Sequence, residues 1–239
     1  TLGDFGFGDG FVTDFDLALT SDDTFLQQFD YSDTDLLTST ARLLRSRERD
    51  YFELGTVAFQ SLRQDEDNAS IPVVLPEFTY HRLIDTPGIG GRMSLDAQAL
   101  GIFREDGQDA LRGGGDIDWR RTMTLPHGVL ATAGAIAGFD LYRVWDDPDQ
   151  PGEFFLRTDP NVNLELRWPL MRAGAGGAAH VIEPIAQVIY SDTLGDDDVP
   201  NNDSTLVEFD ETNLFALNRF PGEDRIETGL RANIGLGYT

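Results

Sequence analysis

Strict apolar/polar alternation is the property that most narrows what this chain can become. In residues 225–238, "RIETGLRANIGLGY", one face carries Ile226, Thr228, Leu230, Ala232, Ile234, Leu236 and Tyr238. The other carries Arg225, Glu227, Gly229, Arg231, Asn233, Gly235 and Gly237. A period of two is the mark of a β-strand whose faces meet different surroundings. The same alternation runs through 93–104, 116–125, 129–141 and 161–168, and more weakly through 11–19, 36–45, 51–62 and 73–84. Residues 178–190 mix their faces around Pro184. About ten strands are expected, with one short helix over 21–29 capped by Ser21.

The connections sort by length. Long acidic ones are read at 20–35, 63–71, 105–112, 146–153 and 192–203, and short ones at 46–50, 85–91, 126–128 and 172–177. Antiparallel strands joined in sequence place alternate connections at opposite ends of the sheet. That arrangement belongs to an antiparallel up-and-down transmembrane β-barrel, with short turns on one side of the membrane and long loops on the other. A fourteen-residue strand reaches about 46 Å at about 3.3 Å per residue. Tilted by about 45°, it covers about 33 Å of height, enough for a hydrocarbon layer. Trp119, Trp145, Trp168, Tyr142 and Tyr238 lie near strand ends, where interfacial aromatics collect.

Composition removes other classes. Forty-two acidic against eighteen basic residues give a net charge of −24, which disfavours nucleic acid as a partner. Hydrophobic residues make up 40% of the chain, too many for disorder. With no cysteine, thiolate metal sites and disulfides are excluded. No P-loop is present. His81, His127 and His180 lie in no pattern that suggests a hydrolytic triad. No cofactor is expected.

Candidate lumen-facing residues follow from alternation: Glu53, Asp96, Asp116, Asp118, Arg120, Asp140, Glu165, Arg167, Arg225, Glu227 and Arg231. They could be simple hydrated wall or a contact for cargo or plug. Asp192, Asp196, Asp197, Asp198 and Asp203 form a weak candidate for a Ca²⁺ site, weighed against a solvated acidic loop. The segment 213–225, "NLFALNRFPGEDR", carries Leu214, Phe215, Leu217 and Phe220 into what should be a loop. Such residues are poorly solvated there, so the loop is expected to fold back and pack.

Four stretches carry a family resemblance: 21–39, 71–82, 180–189 and above all 208–238, "EFDETNLFALNRFPGEDRIETGLRANIGLGY". They resemble the lipopolysaccharide-assembly outer-membrane protein family, LptD (also called OstA). The resemblance is densest around Asn213, Leu214, Phe215, Asn218, Arg219, Phe220, Pro221, Gly222 and Asp224. It implies a segment of one large outer-membrane barrel in a Gram-negative bacterium, delivering lipopolysaccharide to the outer leaflet, with no enzymatic step. The partners it implies are lipopolysaccharide, membrane lipid, an LptE-like lipoprotein plug, and a periplasmic lipopolysaccharide-transport bridge reached through a jelly-roll domain. The chain starts without Met and is expected to be a slice of a longer product, with the jelly-roll and closing strands elsewhere. A small self-contained porin-like channel and a secreted soluble all-β binding protein are the alternatives.

Overall fold

The computed structural model describes residues 2–6, 8–21, 34–63, 66–145, 152, 154–196, 204–205, 207–222 and 224–239. They form an all-β, antiparallel, up-and-down sheet of thirteen strands. In chain order these are β1 (Leu2–Gly6), β2 (Phe11–Asp16), β3 (Leu36–Ser46), β4 (Asp50–Ser61), β5 (Val73–Asp85), β6 (Arg92–Phe103) and β7 (Asp109–Thr124). They continue with β8 (Leu130–Trp145), β9 (Phe154–Arg167), β10 (Leu170–Ala173), β11 (Ala179–Ser191), β12 (Leu194–Gly195) and β13 (Gly229–Tyr238). Strands β1 to β9 pair in sequence order, β11 pairs with β9, β10 and β13, and β12 pairs with β9; among the described residues β1 and β13 each pair on one side only. Residues pack as two compact units: Thr1–Leu83 with Leu95–Gly115 and Asp140–Phe155, and Ile84–Ser94 with Asp116–Phe139 and Leu156–Thr239.

Two of the thirteen strands are continuations. Arg167 pairs Ile185, Leu170 pairs Ile182 and Thr158 pairs Leu194 in one unbroken register. Thus β9 with β10 and β11 with β12 are the two arms of a single long hairpin. Pro184 sits inside β11 opposite the break between β9 and β10, where its carbonyl accepts from Trp168 N at 3.0 Å. A proline cannot donate to a ladder, and this position is the one where the neighbouring strand has already paused.

Several expected boundaries move. An additional strand, β1, precedes the first one expected. The acidic stretch 105–112 is not a long loop: only residues 104–108 connect β6 to β7, because Asp109 caps Arg104 N at 2.8 Å and Asp109–Arg112 already belong to β7. The last strand begins at Gly229, not at residue 225. Gly229 has φ +97°, a left-handed value open to glycine. Ahead of it, the amides of Arg225 and Glu227 bond Ser204 Oγ and Asn218 Oδ1. Those residues belong to the loop, not the ladder. The expected helix over 21–29 lies outside the described residues but for Ser21.

Exposure is inverted relative to a water-soluble sheet. On β13 the apolar side chains face out: Leu230 is 75% exposed, Ile234 81% and Leu236 70%. Their register partners Tyr190, Ala186 and Pro184 share that face, and on β9 so do Val162, Leu164 and Leu166, all of them exposed. The buried positions lie on the opposite face and are mixed in character: Gln187 at 4%, Ile189 at 0% and Ser191 at 2%. In the first unit, Phe52 meets Phe11 and Phe78 edge-on at 5.7 Å each, and Phe5 stacks on Phe15 at 6.0 Å, all on the face opposite Glu53 and Arg42. Trp145 and Tyr238 close their strands as expected, whereas Tyr142 does not join an outer belt. It is buried on the same face of β8 as Asp140, under the Arg112 guanidinium at 5.3 Å.

An arginine at Ile234 would place a charge on the apolar face, at a cost of about 2–4 kcal/mol if that face meets hydrocarbon. Ile234→Arg is expected to lower folding stability in lipid bilayers by an amount in that range, while Asn233→Arg, one residue away on the other face, costs far less. Equal effects in a denaturant titration would contradict the assignment of faces.

A candidate functional site on the polar face

The polar face of β9, β11 and β13 is built by register. Glu165 lies opposite Gln187, which lies opposite Asn233 on its other side, and Asn163, Ile189 and Arg231 form the adjacent row. Asn233 Nδ2 donates to Gln187 Oε1 at 2.9 Å. Arg167 Nε donates to Glu165 at 2.7 Å, and its guanidinium lies 3.8 Å from Glu183. Each charge therefore has a partner across or along the sheet, as a partly buried polar surface requires.

The loop between β12 and β13 lies on this face. Phe215 is seated against Gly235: a Cβ at that glycine would come within 2.8 Å of the ring and 3.8 Å from Leu214. Glycine is needed here for close approach. Gln187 Nε2 donates to the Phe215 carbonyl at 3.1 Å. Arg231 donates to the Leu217 carbonyl and, at 2.6 Å, to Glu227, which also takes a two-pronged contact from Arg219. Arg157 Nη1 reaches the Asp224 carbonyl at 2.6 Å, with both residues buried.

Asn218 holds the loop's two arms together. Its amide nitrogen donates to Arg225 O at 2.8 Å, and its oxygen accepts from Glu227 N at 3.2 Å and Phe220 N at 3.3 Å. Asn213 does the same on a smaller scale, donating to Glu208 O and accepting from Asp210 N. The Asp210 carboxyl is held below its ordinary pKa by the Thr212 hydroxyl and then by the Thr212 amide. Arg219 lies over Phe209 at 4.8 Å and Arg225 over Phe220 at 5.6 Å, giving the loop its own cation–π contacts. Pro221 and Gly222, the latter at φ +78°, turn the chain between Phe220 and Asp224. The expectation that this apolar loop folds back is met, and its target is the polar face.

The chain matches the family described as LptD, LPS transport system D, over residues 1–239. This chain belongs to the LptD family. Among curated proteins, none matches it. LptD is a transport and assembly family of the outer membrane that handles lipopolysaccharide together with other components of the Lpt system. Such work calls for a surface that can guide an amphiphile.

The remaining strand candidates fall in separate groups, and the others lie in connections. In the first unit, Glu53 accepts from the Tyr51 hydroxyl and lies 3.7 Å from Arg42 Nε, while Glu77 and Arg42 both border Gly55. Asp96 meets His81 Nδ1 at 2.6 Å. Asp140 is buried on β8, in the same unit. In the second unit, Asp118 is 4.0 Å from Arg120 on β7. Glu165, Arg167, Glu227 and Arg231 come together with the loop. Arg225 does not: it sits outside the strand, over Phe220. Asp192 accepts from Tyr190 Oη and Thr193 N, and Asp196 from Leu156 N at 2.7 Å. Asp197, Asp198 and Asp203 lie outside the described residues. Among the described residues, no three His, Asp or Glu side chains converge as metal ligands.

Gln187, Arg157, Arg42 and Glu77 escaped the sequence reading. The signal for Gln187 was masked because Ile185 and Ile189 share its face. Ile185 is tolerated there because its row is covered, Gly235 opposite it abutting Phe215, and Ile189 is fully buried.

Asn218→Ala removes the three loop-closing bonds at once and is expected to destabilise the loop by about 1–3 kcal/mol. Gly235→Val forces the Phe215 ring away, at about the same cost. For both variants, trypsin is expected to cut at Arg219 in the folded protein, where the unaltered protein resists. Rapid cutting of the unaltered protein at Arg219 would contradict the packed loop.

Proposed function

We propose that this sheet forms part of the wall of an outer-membrane β-barrel through which lipopolysaccharide reaches the outer leaflet. The observation that carries this reading is the inverted sheet: apolar side chains exposed on one face, paired charges on the other. The exposed face suits hydrocarbon, and the paired charges suit a wet interior able to pass sugar and phosphate. Unpaired edges at β1 and β13 favour pairing with further strands, since open edges do not survive in hydrocarbon. On this reading the chain is a segment of one barrel domain, linked to the periplasmic bridge through a jelly-roll domain.

On this reading an LptE-like lipoprotein plug would meet the wall at the loop formed by residues 207–222 and 224–228. The loop's apolar residues cover Gly235, and the polar edges presented by Asn213 and Arg219 suit a protein or sugar neighbour. No catalytic step is assigned to the chain. Transport of this kind needs a path and a directional supply from partners, and the paired charges offer a path.

A photoreactive residue placed at Asn163, on the polar face, is expected to capture lipopolysaccharide in living cells only while its supply is intact, whereas the same residue at Ile234, on the apolar face, captures surrounding membrane lipid whether or not supply continues. Adducts to lipopolysaccharide from neither position, in protein confirmed in the outer membrane, would contradict the proposed path.

A further inference from the structure

We propose that the outward face of the β10–β11 hairpin, beside the short turn at 174–178, binds the phosphate of an anionic glycerophospholipid through Arg172 and His180. This rests on the reading of the sheet as a membrane wall. Arg172 and His180 are direct cross-strand partners. They stand on the even-numbered face with Leu170 and Ile182, which Tyr238 joins across β13. Among the described residues Arg172 has no hydrogen bond, ion pair or ring contact, and no carboxylate lies within 4 Å of His180. In a chain with 42 acidic residues, a facing pair of bases without an acid marks a place for an external anion.

The pair is held in position. His180 Nδ1 is 2.8 Å from the Tyr238 hydroxyl, and the two rings stack at 6.1 Å and 13°. Gly174 makes room for the imidazole, since a Cβ there would come within 2.9 Å of His180 Nε2. Beside this fixed imidazole, Arg172 offers a planar fork suited to two phosphate oxygens. Leu170, Arg172, Gly174, His180 and Tyr238 line one cleft.

The occupant is argued from what adjoins the bases. On the same face, Ile182, Leu236, Leu166 and Ile234 run away from the turn as an exposed apolar stripe. Trp168 stands at the boundary, its indole N–H bonded to the His127 carbonyl at 3.0 Å. A guanidinium and an imidazole at one end of an apolar stripe, with aromatic rings between, match a headgroup phosphate and its acyl chains. A free phosphate would leave the stripe unused. Because short turns face the periplasm in outer-membrane barrels, the lipid is one of the periplasmic leaflet.

The test is native mass spectrometry of the full-length protein, delipidated in neutral detergent and titrated with phosphatidylglycerol or phosphatidylcholine. The protein is expected to retain phosphatidylglycerol preferentially. Arg172→Gln should weaken that retention about fivefold, as expected for one cation at a lipid surface, and Arg172→Gln with His180→Gln should weaken it further. Arg143→Gln, at the opposite end of β8's outward face, should leave it unchanged. Should the double variant fail to fold, Arg172→Gln carries the test alone, because that side chain is exposed. Equal retention of the two lipids, or undiminished phosphatidylglycerol binding in Arg172→Gln, would overturn the site. Displacement of phosphatidylglycerol by an equal concentration of lipid A would overturn the choice of occupant. Failure of the unaltered protein to show heat-modifiable migration would instead count against the membrane wall itself.

Discussion

A backbone that crosses hydrocarbon has no water to satisfy its amides and carbonyls, so every one must be paired by a neighbouring strand. The rest of this structure answers to that demand. The hairpin from Arg157 to Gly195 keeps one register across two interruptions. Its proline falls opposite the break in the facing strand, at the pair where Trp168 N donates to the Pro184 carbonyl and the reciprocal bond is the one a proline cannot make. With pairing fixed, a period of two decides the faces, and each side chain is selected by the medium on its own side. Leu230, Ile234 and Leu236 are exposed, as suits an apolar medium. Arg231 and Asn233, between them, are paired, as suits a polar one.

Paired charges on the inner face explain the loop. Residues 207–228 carry an apolar segment that could not rest in water, and the face of β11 carries two isoleucines that do not belong on a fully hydrated surface. Each accounts for the other. Phe215 and Leu214 sit on the bare backbone of Gly235, while Arg219, Glu227 and Arg231 join the loop to the strand through charge. Ion pairs in full contact with water contribute little. These are partly screened from solvent and share partners, so breaking one leaves a charge poorly compensated. The loop is thereby tied to the wall at both its apolar and its charged ends. Asn218 closes it by bonding both arms.

Much of this was legible in the sequence. Alternation located nearly every strand, and the order of long and short connections pointed to the up-and-down topology. Boundaries were less legible where alternation continues beyond the ladder. Residues 225–228 alternate as well as 229–238 do, yet their amides are taken by Asn218 and Ser204, partners distant in sequence. The acidic run 105–112 read as loop from its charge, although Asp109 serves as the cap that starts β7. Tyr142 read as interfacial from its place near a strand end, but parity puts it on the buried face with Asp140. On the polar face, strand parity identified Glu165, Arg167 and Arg231. It missed Gln187, whose neighbours are apolar for a reason supplied by a loop some 28 residues away.

The central claim is that the two faces of one strand meet different media. Single spin labels placed in turn at residues 230 to 237 of the protein in lipid bilayers would measure this directly, through collision with oxygen, which favours lipid, and with a water-soluble nickel chelate. Oxygen accessibility is predicted to peak at 230, 232, 234 and 236, with nickel accessibility out of phase and low throughout where the loop covers the face. Peaks of nickel accessibility at 230, 234 and 236 would mean that the apolar face meets water, and the account would be wrong.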